Sequence, residues 1–253
     1  MSGLILEERL GAMLAEKSWV GFDLDDTLHE FRRASSTAAD KVLRAIHSHY
    51  GVPLVEFNAQ YREILRLSTN NAFMVGKTSP DYRRERFLAL ARYFQVPLDL
   101  DNAFIDELLL IYETNVQHSL ELKRGAESLL RALRSYGKKI VIVTEGPQDA
   151  QEWTVDNLGI KPYFDFLATT NNLSVSKTDG LLRVVMEELD VTPAQMAFVG
   201  DSWDRGMQPA ARDGILAFHL VEPEDSDLDR HQPRINALGK LESMHTSHFA
   251  QAG

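Results

Sequence analysis

The sequence predicts an α/β protein, in which the first strand of a parallel sheet is followed by a long helical insertion. Trp19–Phe22 is a short apolar run that stops abruptly at Asp23, as a buried strand does where a loop begins. From residue 31 to residue 121 the apolar side chains recur with a helical period, and strand signals are almost missing. After Gly125 strands and helices alternate, which is typical of a parallel sheet with helical crossovers.

Four apolar runs after the insertion predict the remaining strands. The clearest is the β-branched run at 139–143, which leaves no room for polar alternation and therefore suits a strand that is buried on both faces. Shorter runs predict strands at 164–167, 196–199 and 215–218. Helical segments lie between these runs, so we expect helices to cover both faces of the sheet in a three-layer core.

Within the insertion, apolar residues repeat every three or four positions in three segments, which predicts packed helices. The residues that share a helix face are Ala39, Val42, Ile46 and His49, then Phe87, Leu90 and Ala91, then Ile105, Leu108, Leu109 and Tyr112. Proline-containing turns at 51–53 and 95–97 separate these helices. We therefore expect an α/β core formed by residues 1–30 and 123–253, and a helical domain formed by residues 31–122.

The two ends of the chain carry weaker signals. The first ten residues contain two glutamates and lack a basic patch followed by an apolar stretch, so they do not resemble a secretory signal. The tail from Glu222 onward is polar. Its apolar residues Ile235, Leu238 and Leu241 predict one last packed turn.

The composition excludes several classes of function. The 253 residues carry 27 basic and 37 acidic side chains, a net charge of −10, which argues against nonspecific binding to nucleic acid or to anionic membranes. Cysteine is absent, which excludes disulfides, thiol catalysis and zinc bound by cysteine. No apolar run approaches the roughly 20 residues that span a bilayer. We expect a cytoplasmic protein with neither a nucleic-acid polymer nor a membrane as its partner.

Four polar stretches follow predicted strands or open helices, which is where ligands bind in open α/β sheets. The first, Asp23-Leu24-Asp25-Asp26-Thr27, places three acids within four residues, a costly arrangement without a cation or hydrogen-bond donors. Thr144 offers a hydroxyl for a phosphate oxygen, and Lys177 offers a positive charge. In Gly200-Asp201, the carboxylate could bind a hard cation. Taken singly, the first stretch is equally well explained as a turn that caps the next helix, and a helix cap, a solvated charge and a turn are the favoured explanations of the other three.

In this order, the four stretches resemble the motifs of the haloacid dehalogenase-like superfamily of phosphohydrolases. The stretch from Asp23 to Thr27 matches the first motif, Thr144 the second, Lys177 the third and Gly200-Asp201 the fourth. The resemblance covers roughly residues 20–220, most of the chain. It implies a Rossmann-like three-layer core, with the helical insertion as a mobile cap over the site.

The resemblance also implies a Mg²⁺-dependent phosphomonoesterase. Asp23 would attack phosphorus and become an aspartyl phosphate, and Asp25 would protonate the leaving group and then activate water. The residues that would bind the phosphate are Thr144, Glu145 and Lys177. The Mg²⁺ ligands would be the carboxylates of Asp23 and Asp201 and the backbone carbonyl of Asp25. Dehalogenases of the superfamily lack an acid at the position of Asp25, so its presence favours phosphoryl transfer.

Three departures from the family pattern bear on this interpretation. They are Arg205 and Gly206 where a second acid is usual, Thr178 where proline often follows the lysine, and Glu145 where many relatives have asparagine. Asp204 is the nearest candidate to replace the missing acid. A carboxylate at Glu145 is unfavourable beside a phosphate unless it faces away or binds a substrate hydroxyl or amine.

The insertion would contact the leaving group of a small phosphorylated metabolite, a nucleotide or a sugar phosphate. Its basic residues could bind a polar or anionic substrate, although a solvated surface position is the favoured explanation for each of them. They are Arg32, Arg33, Lys77, Arg83, Arg84 and Arg86. Two alternatives stay open: a phosphomutase on the same scaffold, and a non-catalytic phosphate-binding or regulatory protein. The protein is expected to be a monomer or a homodimer.

Overall fold

A single parallel sheet runs through the part of the chain that follows the α/β pattern. The computed structural model describes residues 2–68, 76–98, 103–221 and 233–251. In these ranges the strand order is β3-β2-β1-β4-β5-β6, and all neighbouring strands are parallel. The strands are β1 Trp19–Phe22, β2 Lys139–Thr144, β3 Phe166–Thr169, β4 Met196–Gly200, β5 Leu216–Leu220 and β6 Arg234–Ile235. The predicted α/β class is confirmed.

Alternate side chains of the strands enter two separate apolar layers. Val20 and Phe22 of β1 join one cluster with Ile140 and Ile142 of β2, while Trp19 joins the other. The helices that flank the sheet are α1 Ser2–Ala15, α6 Ala126–Ser135, α7 Gln148–Asn157, α8 Thr170–Leu173, α9 Leu181–Glu188, α10 Gln208–Arg212 and α11 Leu238–Gln251. Helices α1, α6 and α11 contribute to the first cluster, and α9 and α10 to the second. Because successive side chains of a strand point to opposite faces, the sheet has helices packed on both faces, and the core has three layers.

The insertion packs around an apolar cluster of its own. Its helices are α2 Phe31–Tyr50, α3 Leu54–Ser68, α4 Ser79–Tyr93 and α5 Ala103–Ser119. Residues from all four helices form this cluster, and Trp153 of α7 packs against it from the sheet side. The two segments that connect the insertion to the core run side by side. Glu30 N–H donates to Glu121 O at 3.0 Å, and Lys123 N–H donates to Leu28 O at 2.9 Å.

A polar contact also ties the insertion to the sheet. The carboxylate of Asp149, in the first turn of α7, accepts hydrogen bonds from the backbone N–H and the hydroxyl of Ser79 at 2.8–3.1 Å. Ser79 opens α4, so the carboxylate meets the N–H groups that a helix start leaves without partners. No helix within the described ranges is both long and apolar enough to cross a membrane.

The ends of the chain form more structure than the sequence predicts. Ile235, Leu238 and Leu241 are buried as predicted, but they form more than one turn, since Ile235 belongs to β6 and the two leucines lie in the 14-residue helix α11. Helix α11 packs against α1, a contact that no sequence pattern predicted. A Cβ at Gly11 would lie 2.4 Å from Met244 O, so glycine permits this close crossing. The strand predicted at 164–167 begins two residues later, at Phe166.

A buried histidine in α11 makes the stability depend on pH. His245 is 0% exposed and meets the Tyr136 ring edge-on at 5.0 Å. Burial, reinforced by the positive charge of Lys138, lowers the pKa of His245 from 6.5 to about 4. Below pH 6.5 the unfolded chain therefore takes up a proton that the folded chain rejects, and stability falls as the pH drops towards 4.

We expect His245→Phe to lose less stability on acidification than the wild-type protein does. Between pH 7.5 and 5 the shift in pKa accounts for about 2 kcal/mol of the free energy of unfolding. Urea unfolding at the two pH values measures this difference in the free energy of unfolding. The control is His118→Gln, which replaces an exposed histidine. An equal loss in the wild type and His245→Phe would show that His245 is not responsible.

Candidate active site

The four polar stretches meet at one edge of the sheet. Strand β1 lies between β2 and β4, with Phe22 paired to Ile142 and to Val199. The residues that follow these strands are therefore neighbours, and the backbone N–H of Asp23 donates to Val199 O at 2.9 Å. A Cβ at Gly200 would lie 3.2 Å from the Phe198 ring, so glycine allows the backbone after β4 to pack closely against this ring.

Asp23 forms a buried ion pair with Lys177. The ammonium Nζ lies 2.6 Å from Asp23 Oδ1, and Lys177 is only 2% exposed. The backbone N–H of Leu24 donates to the same oxygen at 2.7 Å. In the described ranges Oδ2 accepts no hydrogen bond, so one carboxylate oxygen is held in place while the other is free to react or to bind a cation. The first and third stretches are thus joined directly.

The electrostatics around Asp23 favour the arrival of a cation. Burial raises the pKa of Asp23 to about 6, and the ion pair with Lys177 only partly opposes that effect. The charges of Asp201 and Asp25 raise the pKa of Asp23 further, which shows that the three carboxylates lie within electrostatic reach of one another. A cation placed between them would relieve this repulsion.

Asp201 is held by contacts that the sequence did not predict. The buried hydroxyl of Thr27 donates to Asp201 Oδ1 at 3.3 Å and accepts from the backbone N–H of Asp201 at 3.0 Å. Arg32, from the first turn of α2, bridges Asp201 Oδ2 and Asp26 Oδ2 at 3.1 Å each. His219 Nε2 lies 2.9 Å from Asp201 O. These contacts fix Asp201 beside the first stretch.

Asp25 also has a partner that sequence analysis missed. Its Oδ1 lies 2.9 Å from Nε2 of His29, which is 1% exposed. His29 lies in the segment that leads from β1 into the insertion, opposite Leu122. The spacing of four residues was the only signal in the sequence. The imidazole holds the Asp25 carboxylate where the two parts of the chain meet.

Thr144 ends β2 with its hydroxyl buried. Thr144 Oγ1 has no hydrogen-bond partner in the part of the chain that the structure describes. A buried hydroxyl without a partner costs about 1–3 kcal/mol, and a phosphate oxygen could accept its hydrogen bond. The role of Thr144 in binding phosphate stays a prediction.

The oxygen donors at this edge fit Mg²⁺. Within the described ranges no three Asp, Glu or His side chains converge as a complete metal centre. Mg²⁺ commonly takes only one or two carboxylates and completes its shell with water and phosphate. The carboxylates of Asp23 and Asp201 with the carbonyl of Asp25 match that donor set. Asp204 is exposed and is not among the charges that act on Asp23, so nothing here favours it as a ligand.

Two of the departures from the family pattern turn out to be partners. Arg205 Nη1 donates to Glu145 Oε2 at 2.9 Å, and the backbone N–H of Lys177 donates to Glu145 Oε1 at 3.2 Å. The carboxylate of Glu145 is therefore neutralised and held by the neighbouring loops. If Glu145 binds phosphate, as the resemblance implies, the group it can offer is its backbone N–H rather than its carboxylate.

Arg205→Gln is expected to weaken the binding of inorganic phosphate about three- to tenfold. Without Arg205, the negative charge of Glu145 would stay unpaired beside the bound anion, at a cost on the order of 1 kcal/mol. The double variant Glu145→Gln/Arg205→Gln removes both charges and should restore most of the affinity. Calorimetric titration with inorganic phosphate measures all three proteins. Equal weakening in the single and double variants would contradict the charge compensation.

Comparison with known proteins gives the family. The model of the haloacid dehalogenase-like hydrolases matches residues 18–213. Haloacid dehalogenase-like hydrolase domain-containing protein 3 of Bos taurus is 30% identical over 110 residues, which are 42% of this chain and 43% of that protein. A phosphoglycolate phosphatase of Pseudomonas putida is 31% identical over 108 residues, 41% of this chain and 40% of that protein. The chain thus matches less than half the length of these two relatives.

Solved structures extend the likeness to nearly the whole chain. A HAD hydrolase of Bacillus subtilis bound to magnesium superposes with a TM-score of 0.68 at 21% identity, over 91% of this chain and 99% of that one. At this identity the likeness shows a shared fold. The family match spans strands β1 to β4, the insertion and all four polar stretches, and we conclude that the chain belongs to the haloacid dehalogenase-like hydrolases.

Proposed function

We propose that the protein is a Mg²⁺-dependent phosphomonoesterase that acts through an aspartyl phosphate on Asp23. The observation that carries this proposal is the buried pair of Asp23 and Lys177, in which one carboxylate oxygen is fixed and the other is free. The positive charge of Lys177 lies within 2.6 Å of the proposed nucleophile, where it would also meet the phosphoryl oxygens of a bound substrate.

In the first step, the free oxygen of Asp23 attacks phosphorus, and the bond from phosphorus to the ester oxygen breaks. The proton of Asp25 passes to that oxygen, so that an alcohol leaves rather than an alkoxide. The Thr144 hydroxyl and the Lys177 ammonium donate to the nonbridging oxygens, whose charge must be stabilised in the transition state. The products of this step are the alcohol, the aspartyl phosphate and an ionised Asp25.

In the second step, Asp25 takes a proton from a water molecule, whose oxygen attacks phosphorus. The bond between phosphorus and Asp23 breaks, inorganic phosphate leaves, and both carboxyl groups return to their starting states. Asp23 and Asp201, with the carbonyl of Asp25, would hold the metal ion. A bound Mg²⁺ would neutralise charge between Asp23 and the phosphate and so let the two anions approach each other.

The relatives support this chemistry and leave the substrate open. A phosphoglycolate phosphatase is among the relatives, and a structure of the same fold carries magnesium. We further propose that the helical insertion, residues 31–122, acts as a cap over the site, since it packs as a separate apolar unit and enters the core next to Asp25. A nucleotide or a sugar phosphate is the substrate that we favour, and a cytoplasmic location stays a prediction.

A screen of phosphorylated metabolites with and without Mg²⁺ tests the proposal. We expect release of inorganic phosphate that depends on Mg²⁺, and a rise in melting temperature when Mg²⁺ is added without substrate. A requirement for a bisphosphate, with slow phosphate release, would instead indicate a phosphomutase. If no phosphoester is hydrolysed and Mg²⁺ leaves the melting temperature unchanged, the catalytic interpretation fails in favour of a non-catalytic protein.

A further inference from the structure

A basic residue of the insertion contacts a carboxylate that is proposed to bind the metal ion. Arg32 lies in the first turn of α2, and its Nη2 donates to Asp201 Oδ2 at 3.1 Å. Arg33, at the next position, pairs instead with Glu121 near the end of the insertion. The positive charge of Arg32 therefore lies on the same carboxylate that Mg²⁺ would need.

Asp26 holds the guanidinium of Arg32 beside Asp201. Asp26 Oδ1 accepts a hydrogen bond from the backbone N–H of Arg32 at 2.9 Å, and Asp26 Oδ2 lies 3.1 Å from Arg32 Nε. Nε thus serves Asp26 while Nη2 serves Asp201, so one planar guanidinium joins the two acids. Asp26 is buried, so the acid that positions the guanidinium is itself packed into the site.

The two carboxylate oxygens of Asp201 have different partners. Oδ1 accepts a hydrogen bond from the buried hydroxyl of Thr27, whereas Oδ2 accepts one from Arg32. A divalent cation bound by Asp201 would lie beside the guanidinium, and the two positive charges would repel each other. Mg²⁺ and Arg32 cannot both interact favourably with this small carboxylate, so binding of the ion should require the guanidinium to move away.

The contact between Arg32 and Asp201 is weak enough for an ion to displace it. The side chain of Arg32 is 76% exposed, and ion pairs with an exposed member contribute little because water screens them. The hydrogen bond from the backbone N–H of Arg32 to Asp26 does not involve the guanidinium. The side chain can therefore rotate away from Asp201 while the start of α2 stays in place.

We propose that the guanidinium of Arg32 competes with Mg²⁺ for Asp201 and thereby sets the affinity of the site for the ion. This inference rests on the proposed function, since it takes Asp201 as a ligand of Mg²⁺. Arg32 belongs to the insertion, and Asp201 directly follows strand β4 of the sheet. Binding of the ion therefore releases one contact between the insertion and the core, and Asp26 retains its hydrogen bond with Arg32 N–H.

Calorimetric titration with Mg²⁺, in the absence of substrate and at constant ionic strength, tests the competition. We expect Arg32→Gln to bind Mg²⁺ about three- to tenfold more tightly than the wild-type protein does. Arg32→Lys keeps the charge but loses the planar fork, so its affinity should lie between the two. The Mg²⁺ concentration that gives half of the rise in melting temperature should fall in the same order of variants.

Arg33→Gln is the matched control, since it removes the same charge from the adjacent position, where the side chain is also exposed. Its affinity for Mg²⁺ should stay within about twofold of the wild-type value, because a distant surface charge is screened. The inference is overturned if Arg32→Gln binds Mg²⁺ no more tightly than the wild type, or if Arg33→Gln shows the same gain.

The titration also separates this inference from the proposed function. If Arg32→Gln binds Mg²⁺ more tightly but neither protein hydrolyses a phosphoester, the phosphatase is refuted and the competition is upheld. If hydrolysis depends on Mg²⁺ but the wild type and Arg32→Gln bind the ion equally, the phosphatase stands and the competition is refuted. If no variant binds Mg²⁺, both fail.

Discussion

Asp23→Asn is expected to abolish phosphate release, by at least about a thousandfold, while the protein stays folded. The amide cannot attack phosphorus, and it removes one of the two carboxylates proposed to hold Mg²⁺. It can still accept the hydrogen bond that Leu24 N–H donates to the present Oδ1, so the local turn should survive. Turnover of an aryl phosphate together with the circular dichroism spectrum checks both parts of the expectation.

The fold should tolerate this substitution better than most buried charge deletions. Burial raises the pKa of Asp23 from 3.8 to about 6, so keeping the carboxylate ionised at neutral pH costs folding free energy. Asparagine removes that cost but leaves the buried Lys177 without its acidic partner, and the two effects oppose each other. Asp204→Asn, an exposed acid near the same edge, is the control and should keep full activity. If Asp23→Asn retains activity, the covalent mechanism is contradicted.

The parallel core could be predicted from the sequence because its strands are buried on both faces. A β-branched run such as 139–143 favours a strand of this kind, and each predicted run ended within two residues of the observed strand. The packing of α1 on α11 could not be predicted, because it depends on a close approach at Gly11 between segments at opposite ends of the chain. Local periodicity carries no information about such a contact.

In the site, too, the positions of residues along the chain could be predicted, whereas their contacts with distant residues could not. Asp23, Thr144 and Asp201 were singled out by their places after strands, their roles came from the resemblance, and the sheet order makes them neighbours. Lys177 was a solvated charge until the resemblance gave it a role, and the structure joins it to Asp23. Three partners of site residues were missed, namely Thr27 of Asp201, His29 of Asp25 and Arg205 of Glu145. Each of them acts through a contact between residues that are not predicted to be neighbours. Arg205 and Glu145 both depart from the motif pattern, and the structure shows that the two residues form an ion pair.

Asp25→Asn is expected to divide substrates according to their leaving groups. An alkyl or sugar ester leaves as a poor anion unless it is protonated, so its turnover should fall about a hundred- to ten-thousandfold. 4-Nitrophenol leaves without a proton, and the first step with its phosphate ester should be slowed much less. The second step still needs Asp25 to activate water, so the aspartyl phosphate should accumulate. Rapid mixing with 4-nitrophenyl phosphate should therefore show a burst of one nitrophenol for each chain, followed by slow turnover.

Asp26→Asn provides the matched comparison at the next position. The Asp26 carboxylate is directed to Arg32 rather than to the reacting atoms, and it accepts a hydrogen bond from Arg32 N–H at 2.9 Å. Any loss in this variant should affect alkyl and aryl esters equally and should produce no burst. If Asp25→Asn also slows both kinds of ester by the same factor and shows no burst, Asp25 is not the proton donor. The leaving group would then have to obtain its proton from another group in the site.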